Sequence, residues 1–560
     1  MAFTASLKTQ LNALAPVTRL PPEVIAEIFS ILCDVQDPDP SLEDSLDLLF
    51  EEEFFGELEE PRTRPLCVEK LGWMLVTQVC SDWRSVAVNT PTLWKRITWS
   101  LGHSWASRMF SNSRLAPISV RMEKNRNRPI DKDDPELIGR HLSHMRHLYL
   151  SIEDASPMDA LLKKANGPTP LLQTLHLAVH TTSNFPRAQR HVSTTQSDLF
   201  GGYAPGLRKV DLFDVSIPWT SPLFKGLHWL SMTLPIQSFP RDEDWAPTLT
   251  QFLDVLQNMP KLNYLKVEGS LPTYEPEMAS SFLSSNVRRA RLGRLRKLHL
   301  GGRTLDVALA LRHLSVPLST ELSLAIVSRA EHEDAQIEVA NARKLFTVLS
   351  NHINPREGDP IPIHEISVTR SSRLEINVYP DSRYGSISLQ FEDCLDRAAF
   401  VRSCFEDLLF RPIPMMHLMG LGWQEQELLH IFGQPGGNAS TVRSMFVSGS
   451  NGASRFCTFL CCRSMANIVM EGAIVPMNAG ELPLPALNAL EFTQSDFNDE
   501  VTRRCLTTAV RMRKECGIPL EVLAFTDCSL PDDDDRWLEE LEGFVPNVRV
   551  EDLDGYDDDF

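Results

Sequence analysis

Residues 520–530 read Leu-Glu-Val-Leu-Ala-Phe-Thr-Asp-Cys-Ser-Leu. Apolar side chains return at Leu520, Leu523, Phe525 and Leu530, with Cys528 between the last two. Successive residues of an extended chain point to opposite faces, so Leu523 and Phe525 share one face and Ala524 and Thr526 the other. The same spacing (apolar, two residues, apolar, one residue, apolar) returns from about residue 142 onward. It occurs at Met145/Leu148/Leu150, Leu172/Leu175/Leu177, Leu207/Val210/Leu212, Leu227/Leu230/Met232, Leu262/Leu265/Val267 and Leu295/Leu298/Leu300. Further copies stand at Ile363/Ile366/Val368, Val442/Met445/Val447, Met465/Ile468/Met470 and Leu487/Leu490/Phe492.

Most intervals between copies fall between 20 and 35 residues. That period is the signature of leucine-rich repeats, in which a strand, a turn and a helix form one unit. Such a unit cannot bury its apolar face alone, so units stack and share a long core. Cys528 occupies the position where Asn or Cys closes the turn after the strand, and in the copy at Leu207 that position is the apolar Val215. The expected fold is therefore an α/β repeat over residues 98–560, a leucine-rich-repeat solenoid with a curved parallel sheet and helices on its convex side. Around residues 330–440 the register is poor, which leaves long insertions or a second globular domain as alternatives.

The first hundred residues have a different period. Val24, Ile25, Ile28, Phe29, Ile31 and Leu32 recur at three- and four-residue spacing, which is helical. Pro21 and Pro22 fit ahead of and inside a first turn, and Glu23 suits its positive end. A second helix is expected over residues 71–88, where Val76, Val79, Cys80, Trp83 and Ala87 form the stripe. Asn89-Thr90-Pro91 stops it, and Leu93-Trp94 begins a third, short element. Between the two helices, twelve acidic residues and no Lys or Arg lie from Asp34 to Glu60, interleaved with Leu42, Leu46, Leu49, Phe50 and Phe54. This reads as an acidic insertion or loop, or else as an acidic partner-binding helix.

These N-terminal residues carry a resemblance. Val17-Thr18-Arg19-Leu20-Pro21-Pro22-Glu23-Val24-Ile25-Ala26-Glu27-Ile28-Phe29 resembles the opening of an F-box. Residues 72–84, with Val79-Cys80-Ser81-Asp82-Trp83-Arg84, resemble its second helix, and Thr90-Pro91-Thr92-Leu93-Trp94 matches the motif's end in the large fungal F-box-like family. The match covers residues 17–97 with an acidic insertion at 34–66, after a helical extension over residues 1–16. The insertion departs from the compact family pattern. The resemblance implies docking to the Skp adaptor and, through it, to the cullin scaffold of a ubiquitin ligase. Leu20, Pro21, Pro22, Ile25 and Ile28 would supply one part of the docking surface, and Val79, Cys80, Trp83, Leu93 and Trp94 the rest. The solenoid would then hold an unidentified target protein. A repeat scaffold with no ubiquitin-ligase role is the alternative.

Composition narrows the field. No run of eighteen predominantly apolar residues suggests a membrane span, and the N-terminus lacks the basic start and apolar run of a secretory signal. Cytoplasm or nucleus is the expected compartment. Eleven cysteines form no disulfide framework, and Cys457, Cys461 and Cys462 lack a second ligand pair for zinc, so they read as buried thiols. A net charge of −19 argues against nucleic acid or anionic lipid as partner of the whole chain. The motifs of serine hydrolases, zincins and phosphate-binding loops are absent from the sequence; Gly433 to Gly437 lacks the loop lysine and reads as a turn. No catalytic residue, cofactor or metal is expected. His141, His144 and His147 have ligand-like spacing but run into a strand, and are read as a solvated turn.

One local exception to the acidic background is basic. Arg288, Arg289, Arg291, Arg294, Arg296, Lys297 and Arg303 surround the strand at Leu295/Leu298/Leu300. Residues between the apolar positions should face solvent on the concave side, which puts Arg296, Lys297 and His299 near or on that face; with the neighbouring Arg294 they are the candidate target contacts. A solubilising rim paired with nearby Asp and Glu is the competing reading. Val545-Pro546-Asn547-Val548-Arg549-Val550 reads as a last strand before an acidic tail.

Overall fold

A computed structural model describes residues 16–36, 68–124, 130–180, 192–195, 198–235, 245–273, 287–327, 335–353, 362–371, 373–392, 399, 401–404, 413–420, 423–432, 441–449, 452–468, 482–531 and 534–551. It divides into two compact units, residues 1–235 and 236–560. The acidic stretch from residue 37 onward, the glycine-rich run at 433–437 and the tail after Glu551 lie outside the described residues.

The first unit begins with a helical module. Helix α1 (Pro22–Val35) carries Pro at its first position, where the missing N–H costs nothing. Ile25, Phe29 and Cys33, four residues apart, are buried. They pack on a 3-10 turn (Val68–Leu75), on helix α3 (Ser81–Asn89) and on a second turn (Pro91–Trp94). The continuous helix expected over residues 71–88 is interrupted. Helix α2 (Val76–Val79) stops at Cys80, whose backbone is extended. The Cys80 sulfur accepts a hydrogen bond from the Trp83 backbone N–H at 3.4 Å and so caps α3. Arg84 Nε donates to the Thr77 carbonyl at 2.7 Å and spans the break. The Gln36 carbonyl accepts from the Trp73 N–H at 2.9 Å, so the chain comes back to the end of α1 when the module resumes.

Six parallel strands follow in the same unit: β1 (Arg96–Thr98), β2 (Ile118–Lys124), β3 (Met145–Ile152), β4 (Thr174–Val179), β5 (Lys209–Phe213) and β6 (Trp229–Thr233). Each pairs with the next in sequence. Apolar positions fall in register: Leu148, Leu175, Val210 and Leu230 form one rung, and Leu150, Leu177, Leu212 and Met232 the next. All eight are buried.

The second unit continues this logic with a ladder of eleven strands among the described residues. β7 (Tyr264–Glu268), β8 (Lys297–Arg303) and β9 (Glu321–Val327) are parallel neighbours. β10 (Ile363–Arg370), β11 (Leu374–Pro380) and β12 (Ile387–Glu392) then enter in reverse order. β12 pairs with β9, β11 runs antiparallel between β12 and β10, and β10 pairs with β13 (Met415–Gly420). After it β14 (Ser444–Ser448), β15 (Ala489–Thr493), β16 (Val522–Thr526) and β17 (Asn547–Glu551) add in parallel. The architecture is α/β with a mostly parallel, open sheet. The poorly registered region at 330–440 holds this reversed three-stranded insert, joined to the same ladder. Helices pack on the apolar face: α4 (Ala155–Lys164) on β3, α5 (Thr304–Arg312) on β8 and β9, and α6 (Gly452–Ile468) on β14.

Two details tie the units of the ladder together. Just past a strand, Asp214, Gly269, Gly449, Gln494 and Asp527 all take positive φ, between 50° and 118°. Two residues after β16, the Cys528 thiol donates to the carbonyls of Phe492 (3.3 Å) and Thr526 (3.4 Å). Ser495 Oγ, at the equivalent place after β15, donates to Gly449 and Thr493 at 3.4 and 3.1 Å. A small donor there satisfies carbonyls of its own strand end and of the end of the preceding strand.

Two further expectations are corrected. The copy at Met465/Ile468 is helical, lying in α6; its first interval of three suits a helix as well as a strand. Met470 lies outside the described residues. Strands β2, β9, β11, β12 and β13 carry no copy of the quoted spacing among those named above. The histidines are packed rather than solvated: His144 is buried, and His141 stacks on Phe110 with centroids 4.6 Å apart. Burial lowers the pKa of His141, His144 and His147. Among the described residues no helix is long and apolar enough to cross a membrane.

Candidate docking surfaces

Helix α1 is apolar on two faces. One face, Ile25, Phe29 and Cys33, fills the module's core. Phe29 meets the Trp83 ring at 5.2 Å, Trp73 meets Trp94 at 5.0 Å, and Trp94 Nε1 donates to the Ala87 carbonyl at 2.8 Å. The other face is uncovered. Leu20, Val24, Ile28, Ile31 and Val35 recur every three or four residues and are 37% to 73% exposed, as is Val79 at 58%. A stripe of this kind in water carries an unfavourable apolar surface that a partner would cover.

The residues expected to dock therefore separate into two groups. Leu20, Pro21, Pro22, Ile28 and Val79 are exposed, and Cys80 and Trp83 are half-buried. Ile25, Leu93 and Trp94 are core residues, 2% to 6% exposed, and have no surface to offer. Their apolar partners inside the module explain the difference: Cys33 Sγ donates to the Leu93 carbonyl at 3.8 Å, and Trp94 lies against Trp73. Val24, Ile31 and Val35 belong to the same exposed face, although the family resemblance does not point to them. The available signal was a helix whose apolar positions span more than one face, a pattern that calls for burial on two sides.

The open face of the first unit's strands is aromatic and charged. Arg121 lies over the Tyr149 ring at 4.9 Å, and Tyr149 stacks on His176 with centroids 4.1 Å apart and planes 5° from parallel. His176 Nδ1 meets Asp211 Oδ2 at 2.8 Å. These residues are consecutive in one rung of the ladder. Burial raises the pKa of the Asp211 carboxyl, but hydrogen bonds from His176 and Ser231 and the neighbouring positive groups outweigh it and hold the value below normal. Lys209 lies over Trp229 at 4.5 Å.

In the second unit, Arg294, Arg296 and Lys297 are exposed and His299 is half-buried. Lys297 pairs with Glu321 at 3.3 Å across the β8–β9 ladder. His299 Nδ1 lies 2.9 Å from Ser323 Oγ, and its Nε2 lies 3.8 Å from a Glu268 carboxylate oxygen. The cysteines at 457 and 461 are buried, and desolvation pushes the Cys457 thiol well up, the state of an unreactive thiol. No group of three or more metal-capable side chains gathers among the described residues. Compared with protein-family models and with curated proteins, the chain matches none.

Proposed function

We propose that the chain is a substrate-recruiting adaptor of a Skp–cullin–F-box ubiquitin ligase. The helical module docks on the Skp adaptor, and the strand faces hold a target. The observation that carries this reading is the uncovered stripe Leu20, Val24, Ile28, Ile31 and Val35 on a helix whose opposite face is already buried. Leu20, Val24 and Ile28 lie within the stretch that resembles an F-box opening, and the capped break at Cys80 keeps Val79 exposed in the same module. Covering each such side chain is worth roughly 1 kcal/mol or more. The recurring turn after the strands, with Cys528 and Ser495 reaching back to the previous unit, supports a leucine-rich-repeat reading of the ladder.

Co-purification with a recombinant Skp adaptor tests it. The full chain should retain the adaptor, and the pair Ile28→Asp and Ile31→Asp should weaken retention at least about tenfold without lowering the melting temperature. A folded wild-type chain that ignores the adaptor would leave only a binding scaffold without a ligase role.

A further inference from the structure

Arg288, Arg289, Arg291, Arg294, Arg296 and Lys297 are all exposed within one short stretch of the second unit, in a chain of net charge −19. Two are neutralised nearby. Arg288 pairs with Asp254 at 2.5 Å and Lys297 with Glu321 at 3.3 Å. Arg289, Arg291, Arg294 and Arg296 make no side-chain ion pair or hydrogen bond among the described residues. One unit earlier, exposed Lys261 stands where Arg294 stands, four residues before the paired Leu265 and Leu298.

The backbone beneath these cations is fixed. Ala290 and Arg291 pair in parallel with Leu314 and Ser315. His313 Nδ1 lies 2.8 Å from the Arg288 carbonyl. The Arg296 N–H donates to the Asn263 carbonyl and the Arg296 carbonyl accepts from the Glu321 N–H, each at 2.8 Å. A ligand that meets such a surface orders side chains only, not the loop that carries them. The charges also repel one another: after desolvation, Arg289 is the group that lowers the pKa of Arg312. A plain solubilising rim would spread its charges and pair them with acids. This cluster gathers like charge and leaves most of it unpaired.

We propose that the cluster is an anion-binding surface for an acidic segment of the target polypeptide, whose carboxylate or phosphate groups meet Arg289, Arg291, Arg294 and Arg296. This names a target class for the receptor reading above and rests on it. Guanidinium groups bind both anions in a planar, two-bond geometry. A peptide is favoured over nucleic acid because a long polyanion would meet the repulsion of the remaining chain, whereas a short acidic segment meets only the local field.

Fluorescence anisotropy of the full chain tests this with three labelled peptides of one length: glutamate-rich, phosphoserine-containing, and a glutamine control. The first two should bind at low salt and the control should not. The triple variant Arg289→Glu, Arg294→Glu, Arg296→Glu should lose about tenfold or more, while Arg511→Glu, an exposed change on the helix Glu500–Glu515, should lose nothing. Tighter binding of phosphoserine at equal charge would assign the anion to phosphate; equal binding would assign it to carboxylate. Wild-type binding by the triple variant, no binding by the wild type, or tighter binding of an oligothymidine of matched charge would each overturn the inference. Adaptor retention is read in parallel: peptide capture without it would sink the receptor reading and leave the anion surface standing.

Discussion

The Trp83 indole stands edge-on to the Phe29 ring, with centroids 5.2 Å apart and planes at 65°. Phe29 is fully buried, and Trp83 is half-buried on a helix that starts only at Ser81. The contact therefore joins two helices whose sequence separation includes the whole acidic stretch. An edge-to-face pair adds about 1 kcal/mol to the burial of each ring.

Truncation at these two positions should cost unequal amounts. Phe29→Ala empties a core site and should destabilise by about 3–5 kcal/mol. Trp83→Ala removes a ring that water already reaches and should cost about half as much. Urea unfolding of the full chain, followed by far-ultraviolet circular dichroism, measures both. Equal losses would mean that Trp83 is buried in solution.

Acid should weaken the first unit through Asp211. Its carboxyl has a lowered pKa in the folded chain, so it contributes stability that is present above the unfolded carboxylate value of about 4 and is lost as pH falls through the folded value. Asp211→Asn should be less stable than wild type near neutrality and should lose less on acidification below about pH 4. Thermal melts at a series of pH values report this. Parallel curves for the two proteins would remove Asp211 from the acid response.

Strand β17 ends the parallel ladder of the second unit, with its residues largely exposed. Ending the chain after Gly543 should uncover the N–H and C=O groups of β16, together with part of the apolar face that Val545 now helps to fill. The shortened protein should aggregate at concentrations where the full chain stays dispersed. Light scattering decides the matter, and equal scattering would show that β16 tolerates an open edge.

Much of this fold is legible in the sequence, because a parallel strand covered on one side must repeat its apolar residues at fixed offsets. Ten of the eleven triads named in the sequence, from Met145/Leu148/Leu150 to Leu520/Leu523/Phe525, place their second and third residues on strands. Strand β12 was hidden because Ile387, Leu389 and Phe391 simply alternate, and the leading position three residues before Ile387 holds the half-buried Tyr384 rather than an aliphatic residue. The reversal of β10 to β12 leaves no local mark: which strand pairs with which is decided by partners more than sixty residues away, as with Leu322 and Ile387. The exposed stripe of the helical module was half legible. Sequence spacing finds Ile25 and Ile28 together, but only packing against Trp83 and the turn at Pro91 shows which of the two looks inward.

That reversal also governs when the second unit can assemble. As the chain is synthesised, β7, β8 and β9 can zip together in order. The free side of β9 then waits until β12 has emerged, because β10 and β11 arrive first and have no place beside it. Loop closure over that separation is slower than hairpin formation. The nascent protein thus passes through a stage with an unpaired strand edge on the ribosome, and that interval is when a chaperone would have most to protect.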